Sequence, residues 1–201
     1  MQETEAKFYV KDLRSVEARL LGLNARLIQP RIFEMNIRFD LPDGRLRSEG
    51  RVLRLRQDTA ARLTYKGASV NEQGVLSRTE IEFIIEDFEK AKQLLKLLGY
   101  RELILYEKYR TTYELNRCHI MLDELPYGNF VEIEGESIEA IRDIAQRLGL
   151  KWDTAIAASY HALFERLRVA HADLDPTQLS FTALRGINIT AEELSVHPAD
   201  V

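Results

Sequence analysis

The sequence predicts an α+β fold: a closed eight-stranded antiparallel β-barrel with helices packed on its outside. Three observations predict it. Eight segments, at about 3–10, 33–40, 51–57, 60–66, 78–86, 103–115, 117–124 and 129–135, alternate with the two-residue period of strands. Four further segments carry the 3.6-residue period and the end signals of helices. Charged residues fall on one face of strand after strand, which leaves the opposite, apolar faces for the helices to cover.

Taken in order, the first strand leads into a helix at about 12–22, with Asp12 as N-cap and Gly22 at its end. Pro42-Asp43-Gly44 closes the second strand, and Asn71-Glu72-Gln73-Gly74 separates the fourth from the fifth. Asp87 caps a helix over 87–98 that carries Phe88, Ala91, Leu94, Leu95 and Leu98 and stops at Gly99. The last strand pair turns at Pro126-Tyr127-Gly128-Asn129, and Ser137 and Gly149 bound a helix at 137–148. A fourth helix at about 154–170 carries Ala155, Ala158, Ala162, Phe164 and Leu167. Residues 1–170 form the predicted domain, and 171–201 a tail. In the tail, Asp175-Pro176-Thr177 signals a helix start and Thr190-Ala-Glu-Glu193 a capping box. Two roles are open for it, packing on the domain or mediating self-association into a homodimer.

A chain of 201 residues suits one core, and 45% hydrophobic with 30% charged residues is too apolar for disorder and too charged for a membrane protein. Apolar runs such as Leu94–Leu98 and Ile81–Ile85 are far shorter than the roughly 18 residues a bilayer span needs. The N-terminal residues carry no apolar signal region, so a cytoplasmic protein is expected. The single Cys118 forms no internal disulfide and no cysteine-built zinc site. His119, His161, His171 and His197 are scattered, with no H-x-x-x-H spacing, and no G-x-S-x-G marks a serine nucleophile. The net charge of −4 argues against general nucleic-acid binding.

The placement of the charges says more than their sum. Glu3, Glu5 and Lys7 share one face of the first strand; Arg54 and Arg56 share one in the third; Arg62, Thr64 and Lys66 share one in the fourth. Arg78, Glu80 and Glu82 follow, then Lys108 and Arg110, with Tyr106 and Thr112 on the same face. Asp123, and Glu132 with Glu134, complete the set. In any one strand this alternation means a solvated face. Seven strands with both signs point instead to a polar barrel interior, wide enough in an eight-stranded barrel for side chains or one small ligand. Burying that many ions dry would cost several kcal/mol per unpaired ion, so a wet tunnel is expected. Clustered Arg and Lys suit phosphate oxygens, and clustered carboxylates suit hard divalent cations. A metal-bound triphosphate needs both.

Glu3-Thr-Glu5-Ala-Lys7 resembles the E-x-E-x-K signature of the CYTH superfamily, the triphosphate tunnel metalloenzymes, which include class IV adenylate cyclases and thiamine triphosphatases. Further matches follow in order: Leu53-Arg54-Leu55-Arg56, Thr64-Tyr65-Lys66-Gly67, Glu80-Ile-Glu82, Lys108-Tyr-Arg110, Asp123-Glu124 and Gly128-Asn-Phe-Val-Glu132-Ile-Glu134. The resemblance covers about residues 1–168, to Ser159-Tyr160-His161-Ala162-Leu163. It implies an eight-stranded tunnel that binds a triphosphate (ATP, tripolyphosphate or thiamine triphosphate) with Mg2+ or Mn2+. Lys7, Arg54, Arg56, Lys66, Lys108 and Arg110 would contact phosphates, with Arg62 and Arg78 added from strand phase. Glu3, Glu5, Asp123, Glu132 and Glu134 would be metal ligands, and Glu80 and Glu82 would join them or orient basic neighbours. The reaction is left between cyclisation of ATP, to which the chain looks closer, and hydrolysis of the terminal phosphate; a non-catalytic polyphosphate-binding module is the third reading. The thiamine reading ranks lower because Val52 stands where thiamine triphosphatases carry a Trp. Tyr65, Tyr106, Tyr109 and Tyr113 are expected to pack the barrel wall rather than stack on a base, with Tyr106, which shares a face with Lys108 and Arg110, the one to test for a role in the tunnel.

Overall fold

The computed structural model describes residues 2–201. In chain order it contains β1 (Gln2–Val10), α1 (Leu13–Gly22), β2 (Arg26–Asp40), α2 (Arg45–Ser48), β3 (Val52–Gln57), β4 (Ala61–Lys66), β5 (Val70–Glu72) and β6 (Val75–Ile85). There follow α3 (Phe88–Leu97), β7 (Arg101–Leu115), β8 (Cys118–Leu125), β9 (Gly128–Glu134), α4 (Ile138–Arg147), a single 3-10 turn (Trp152–Thr154), α5 (Tyr160–Ala170) and β10 (Gln178–Leu179).

Eight antiparallel strands form a ring in the order β1-β9-β8-β7-β2-β3-β4-β6, and β6 returns to β1. The first strand is shared along its length: Gln2–Glu5 pair with β6, and Glu5–Val10 pair with β9. Short β5 adds to the outside of β6, and β10 runs parallel to β7.

Because side chains alternate along a strand, one phase of each points into the ring and the other outward. The outward phase of β1, β8 and β9 supplies Phe8, Ile120, Leu122, Val131 and Ile133, which pack under α1 and α4 through Val16, Leu20, Ile141 and Ile144. Phe88 and Leu95 of α3 cover Ile37, Phe39 and Leu55 of β2 and β3. Phe164 and Leu167 of α5 pack with Phe130 and with Leu174, Leu179, Leu184, Leu194 and Val196 of the C-terminal segment. Fully burying each such side chain contributes about 1.5–3 kcal/mol; α1, α3 and α4 cover the outward phase, whereas α5 packs on Ile104, Tyr106, Leu125 and Phe130, which share the strand phase of Lys108, Asp123 and Glu132.

Local rules explain the helix starts. Asp12, Asp87, Ser137 and Ser159 each accept a backbone N–H of the first turn of α1, α3, α4 and α5. The expected elements change in four places. β2 begins at Arg26 instead of 33, because register shifts between Leu27 and Ile32 let the strand pass Pro30, which has no N–H to give the ladder. The Asn71–Gly74 turn is flanked by paired strands, with positive φ at Gln73 (52°) and Gly74 (86°). The helix expected from 154 starts at Tyr160; the preceding chain is held extended by a bond from Ile156 N–H to the Lys7 carbonyl (2.8 Å). The tail packs on the domain without a helix: the Thr190–Glu193 pair makes its reciprocal bonds (2.8 and 3.4 Å), but around a turn.

Candidate functional site

Inside the ring lies a cavity of about 610 Å³, lined among others by Lys7, Arg54, Arg56, Lys66, Arg78, Lys108 and Arg110, and by Glu3, Glu5, Glu80, Glu82, Glu132 and Glu134. A second cavity of about 400 Å³ shares Arg56, Glu82, Arg110, Met121 and Glu134 with it, so the two have these side chains as a common wall. Arg62 lines the second. Ser159, Tyr160 and His161, at the start of α5, stand at the first.

The charges are arranged in three connected groups. In the first, the fully buried Asp123 accepts from Lys108 Nζ (2.9 Å), Arg110 Nε (2.6 Å) and the Tyr160 hydroxyl (2.8 Å). Arg110 also reaches Glu132, which pairs with Lys7 at 3.2 Å. The Lys7 ammonium lies 4.2 Å from the centre of the Tyr160 ring, a cation–π contact. Burial would raise the Glu132 carboxyl, but Lys7, Arg110 and Lys108 outweigh it and hold it well below the ordinary range.

In the second group, Lys66 Nζ lies 2.5 Å from Glu3 and 3.1 Å from Glu80, while Arg78 bonds Glu3 at 3.0 Å and Glu5 at 3.4 Å. Against the effect of burial, Lys66 and Arg78 pull Glu3 down to about 2. Glu5 and Glu134 behave oppositely. Burial and the Glu132 charge raise Glu5, and burial with Glu3, Glu5 and Glu80 raises Glu134 to about 7.

The third group joins β2, β3, β4 and β6. Glu82 receives Arg56 (3.0 Å), Arg54 (3.4 Å) and the Thr64 hydroxyl (2.7 Å), and Arg54 donates to the Tyr106 hydroxyl at 3.3 Å. Asp58 holds Arg56 at 3.2 Å and pairs with Arg62. Buried Glu34 of β2 lies 3.6 Å from Lys108 and 3.8 Å from Arg56; those charges, with Arg110, overcome its burial and lower it to about 2.

Thus the structure brings the expected cationic residues and six of the expected carboxylates to one interior. Asp123 stands apart: it lines neither cavity, and its buried carboxylate is occupied by Lys108, Arg110 and Tyr160. Among the described residues, no three His, Cys, Asp or Glu side chains already stand in a metal-binding arrangement. Sequence reasoning passed over Glu34, Arg38, Asp58 and His161. The alternation Glu34-x-Asn36-x-Arg38 lies in an assigned strand and carried the signal; Asp58 lies just past a strand end and His161 on a helix, where strand phase gives none. Of the tyrosines, Tyr106 lines the cavity, while Tyr113 donates outward to Glu17 (2.6 Å) and Tyr109 packs on Phe33 and Phe181.

The sequence model of the CYTH domain family matches residues 1–160. A Methanocaldococcus jannaschii protein named "Putative adenylate cyclase MJ0240" is 30% identical over 171 residues, covering 80% of this chain and 97% of its own length. The adenylate cyclase CyaB of Aeromonas hydrophila is 27% identical over 188 residues, covering 87% and 95%. A Pyrococcus horikoshii structure, the PH1012 protein, superposes with a TM-score of 0.69 at 27% identity over 79% of this chain and 96% of that one. The fold is also shared by a Hippeastrum protein whose structure is described as revealing a dominant triphosphatase activity, with a TM-score of 0.60, 19% identity and coverage of 81% and 95%.

Proposed function

The chain belongs to the CYTH domain family, and we propose that it is a divalent-metal-dependent enzyme that holds a triphosphate chain inside a closed barrel and converts ATP to cyclic AMP and pyrophosphate. One observation carries this reading: eight lysines and arginines and six carboxylates, contributed by seven strands of the ring, line a single cavity. Guanidinium groups give bidentate bonds to phosphate oxygens and ammonium groups act as point charges, so Lys7, Arg54, Arg56, Lys66, Arg78, Lys108 and Arg110 form the phosphate-binding set. Asp123 acts behind them as a positioning residue, fixing Lys108 and Arg110 in place.

The carboxylates fit a cation. Glu5 is raised by burial and by the Glu132 charge, and Glu134 by burial and then by Glu3, Glu5 and Glu80, the mark of a local cluster of carboxylates within the cavity. Together with Glu3 and Glu80 they would hold Mg2+ or Mn2+, whose charge would be shared with the phosphate oxygens. Glu132, tied to Lys7 and Arg110, and Glu82, tied to Arg54 and Arg56, orient those cations, and Glu3 and Glu80, tied to Lys66, would do the same for that lysine as well as meet the metal. In the cyclisation the ribose 3′-hydroxyl attacks the α-phosphorus in line and pyrophosphate leaves. The barrel residues contribute alignment and charge balance.

Hydrolysis of an inorganic or nucleoside triphosphate is the second reading, and it has an observation of its own. Of the two tyrosine rings that line the cavity, Tyr160 carries the Lys7 ammonium on its face and Tyr106 is buried with its hydroxyl bonded to Arg54, while Val52 lines the wall, so among the described residues little aromatic face is offered to an adenine base. Incubation of the protein with ATP, thiamine triphosphate or tripolyphosphate, with Mg2+ or Mn2+, followed by chromatography of the products, decides. Cyclic AMP supports the cyclase, orthophosphate supports the hydrolase, and binding without any product would leave only a polyphosphate-binding module.

A further inference from the structure

Arg38 of β2 lines the same cavity, directly opposite Arg54 in the β2–β3 register and close to His161 of α5. Every other lysine and arginine of that cavity is ion-paired, from Lys66–Glu3 at 2.5 Å to Arg54–Glu82 at 3.4 Å. Arg38 makes no hydrogen bond or ion pair with any described residue. The acid that acts on its charge, Asp40, is committed elsewhere: its oxygens accept the backbone N–H groups of Leu41, Leu46 and Arg47 at 2.7, 2.9 and 3.0 Å. The charges that bear on Arg38 include two of its own sign, Arg54 and Arg78.

A half-buried guanidinium among like charges destabilises the empty protein, since desolvation and repulsion both oppose it. Within the fold, Tyr106 and Asp40 offset part of this. The arrangement is balanced only when an anion enters. A flat guanidinium could also stack on a base, but here it is grouped with Arg54 and Arg78, a set suited to oxyanions. We propose that Arg38 is a further substrate-binding residue, whose guanidinium contacts phosphate oxygens of the bound chain at the end of the cavity where Ser159 and His161 stand. This rests on the triphosphate reading of the site and adds to it a contact that the other strands do not supply.

The test is calorimetric titration of wild type, R38Q, R38K and K66A with tripolyphosphate and, in parallel, with ATP, each with Mg2+. R38Q should weaken tripolyphosphate binding about tenfold or more, in line with losing one charge-assisted hydrogen-bonding group of about 1.5–3 kcal/mol. R38K should keep part of the affinity, and R38Q should melt no lower than wild type because repulsion is relieved. Wild-type affinity in R38Q, with K66A impaired, overturns the role of Arg38 and leaves the triphosphate site standing. A loss confined to ATP overturns it too, by placing Arg38 on the nucleoside. Should R38Q melt lower, R38K decides: retained binding supports the contact, and binding as weak as in R38Q overturns it. If wild type binds neither ligand, the triphosphate reading itself falls and the inference with it.

Discussion

Glu5 and Glu134 stand opposite each other across the β1–β9 pair, two carboxylates in one register position of the ring interior. Like charges directly opposed in a sheet destabilise it. Arg78 reaches Glu5 at 3.4 Å, whereas Glu134 makes no ion pair among the described residues. Burial, then Glu3, Glu5 and Glu80, raise Glu134 from 4.5 to about 7. The folded protein therefore holds a proton there that the unfolded chain releases, and stability falls as pH rises from about 4.5 to about 7. E134Q should melt close to wild type at pH 4.5 and roughly 2–6 °C above it at pH 8 in the absence of divalent ions. Thermal scans at the two pH values check this, and equal melting of both proteins at pH 8 would contradict it.

The same pair predicts a linked metal response. If Glu134 is a metal ligand as proposed, a cation there would compete with its proton, so Mn2+ affinity should rise across pH 6–8 in wild type. In E134Q the affinity should drop and the pH dependence flatten. Titration calorimetry at three pH values measures it, and an unchanged pH slope in E134Q would remove Glu134 from the metal site.

Asp123 predicts a different phenotype. It is fully buried and holds Lys108, Arg110 and the Tyr160 hydroxyl, so D123N takes from two cations the counter-charge they share and leaves them only Glu34 and Glu132. Breaking a buried ion pair from one side costs about 3–5 kcal/mol. The melting temperature of D123N should fall by many degrees and its triphosphate affinity should weaken. A variant that melts like wild type would show that Lys108 and Arg110 are held by Glu34 and Glu132 alone.

How much of this could be read in the sequence follows from side-chain period. Strand phase found Arg54 and Glu132 because they alternate with Leu53, Leu55, Val131 and Ile133, apolar residues that face the helices. Glu34 and Arg38 obey the same phase, but they lie between bulges and Pro30, and the strand drew no attention as part of the charged set. Phase could place Asp123 on the inner face but not show that Tyr160, 37 residues later on a helix, closes over it. Ring order and the sharing of β1 between β6 and β9 are long-range pairings, invisible to local pattern. The tail defeats prediction for a related reason: its leucines have no period because each fills a different gap beside α5.

His161 adds an acid-side prediction. Burial, and then the charge of Arg38, depress its imidazole to about 4 from 6.5, despite Glu165 nearby. The unfolded chain takes up that proton first, so the stability this group contributes is present above about 6.5 and is lost as pH falls towards 4. H161Q should lose less stability than wild type between pH 7 and pH 5. Parallel slopes in urea denaturation at the two pH values would sink the assignment.

The C-terminal segment gives the last prediction, because its packing and its backbone both tie it to the site. Leu179 and Leu194 are fully buried beside Phe164 and Leu167 of α5, the helix whose first residue, Tyr160, bonds Asp123. Further on, Ala199 N–H bonds the Tyr9 carbonyl (2.8 Å), Lys151 N–H bonds the Ala199 carbonyl (2.9 Å), and Asp200 accepts the N–H groups of Lys11 and Asp12 at 2.9 Å. The tail thus joins β1, the end of α4 and α5 from outside the ring. L194A should cost about 2–5 kcal/mol, the range for emptying a buried leucine site. Its triphosphate affinity should weaken as well, since α5 loses the support that seats Tyr160 between Lys7 and Asp123. Denaturant unfolding and ligand titration of the same variant separate the two effects. If L194A unfolds like wild type, and instead shifts a concentration-dependent association equilibrium, the segment serves self-association rather than the packing of α5.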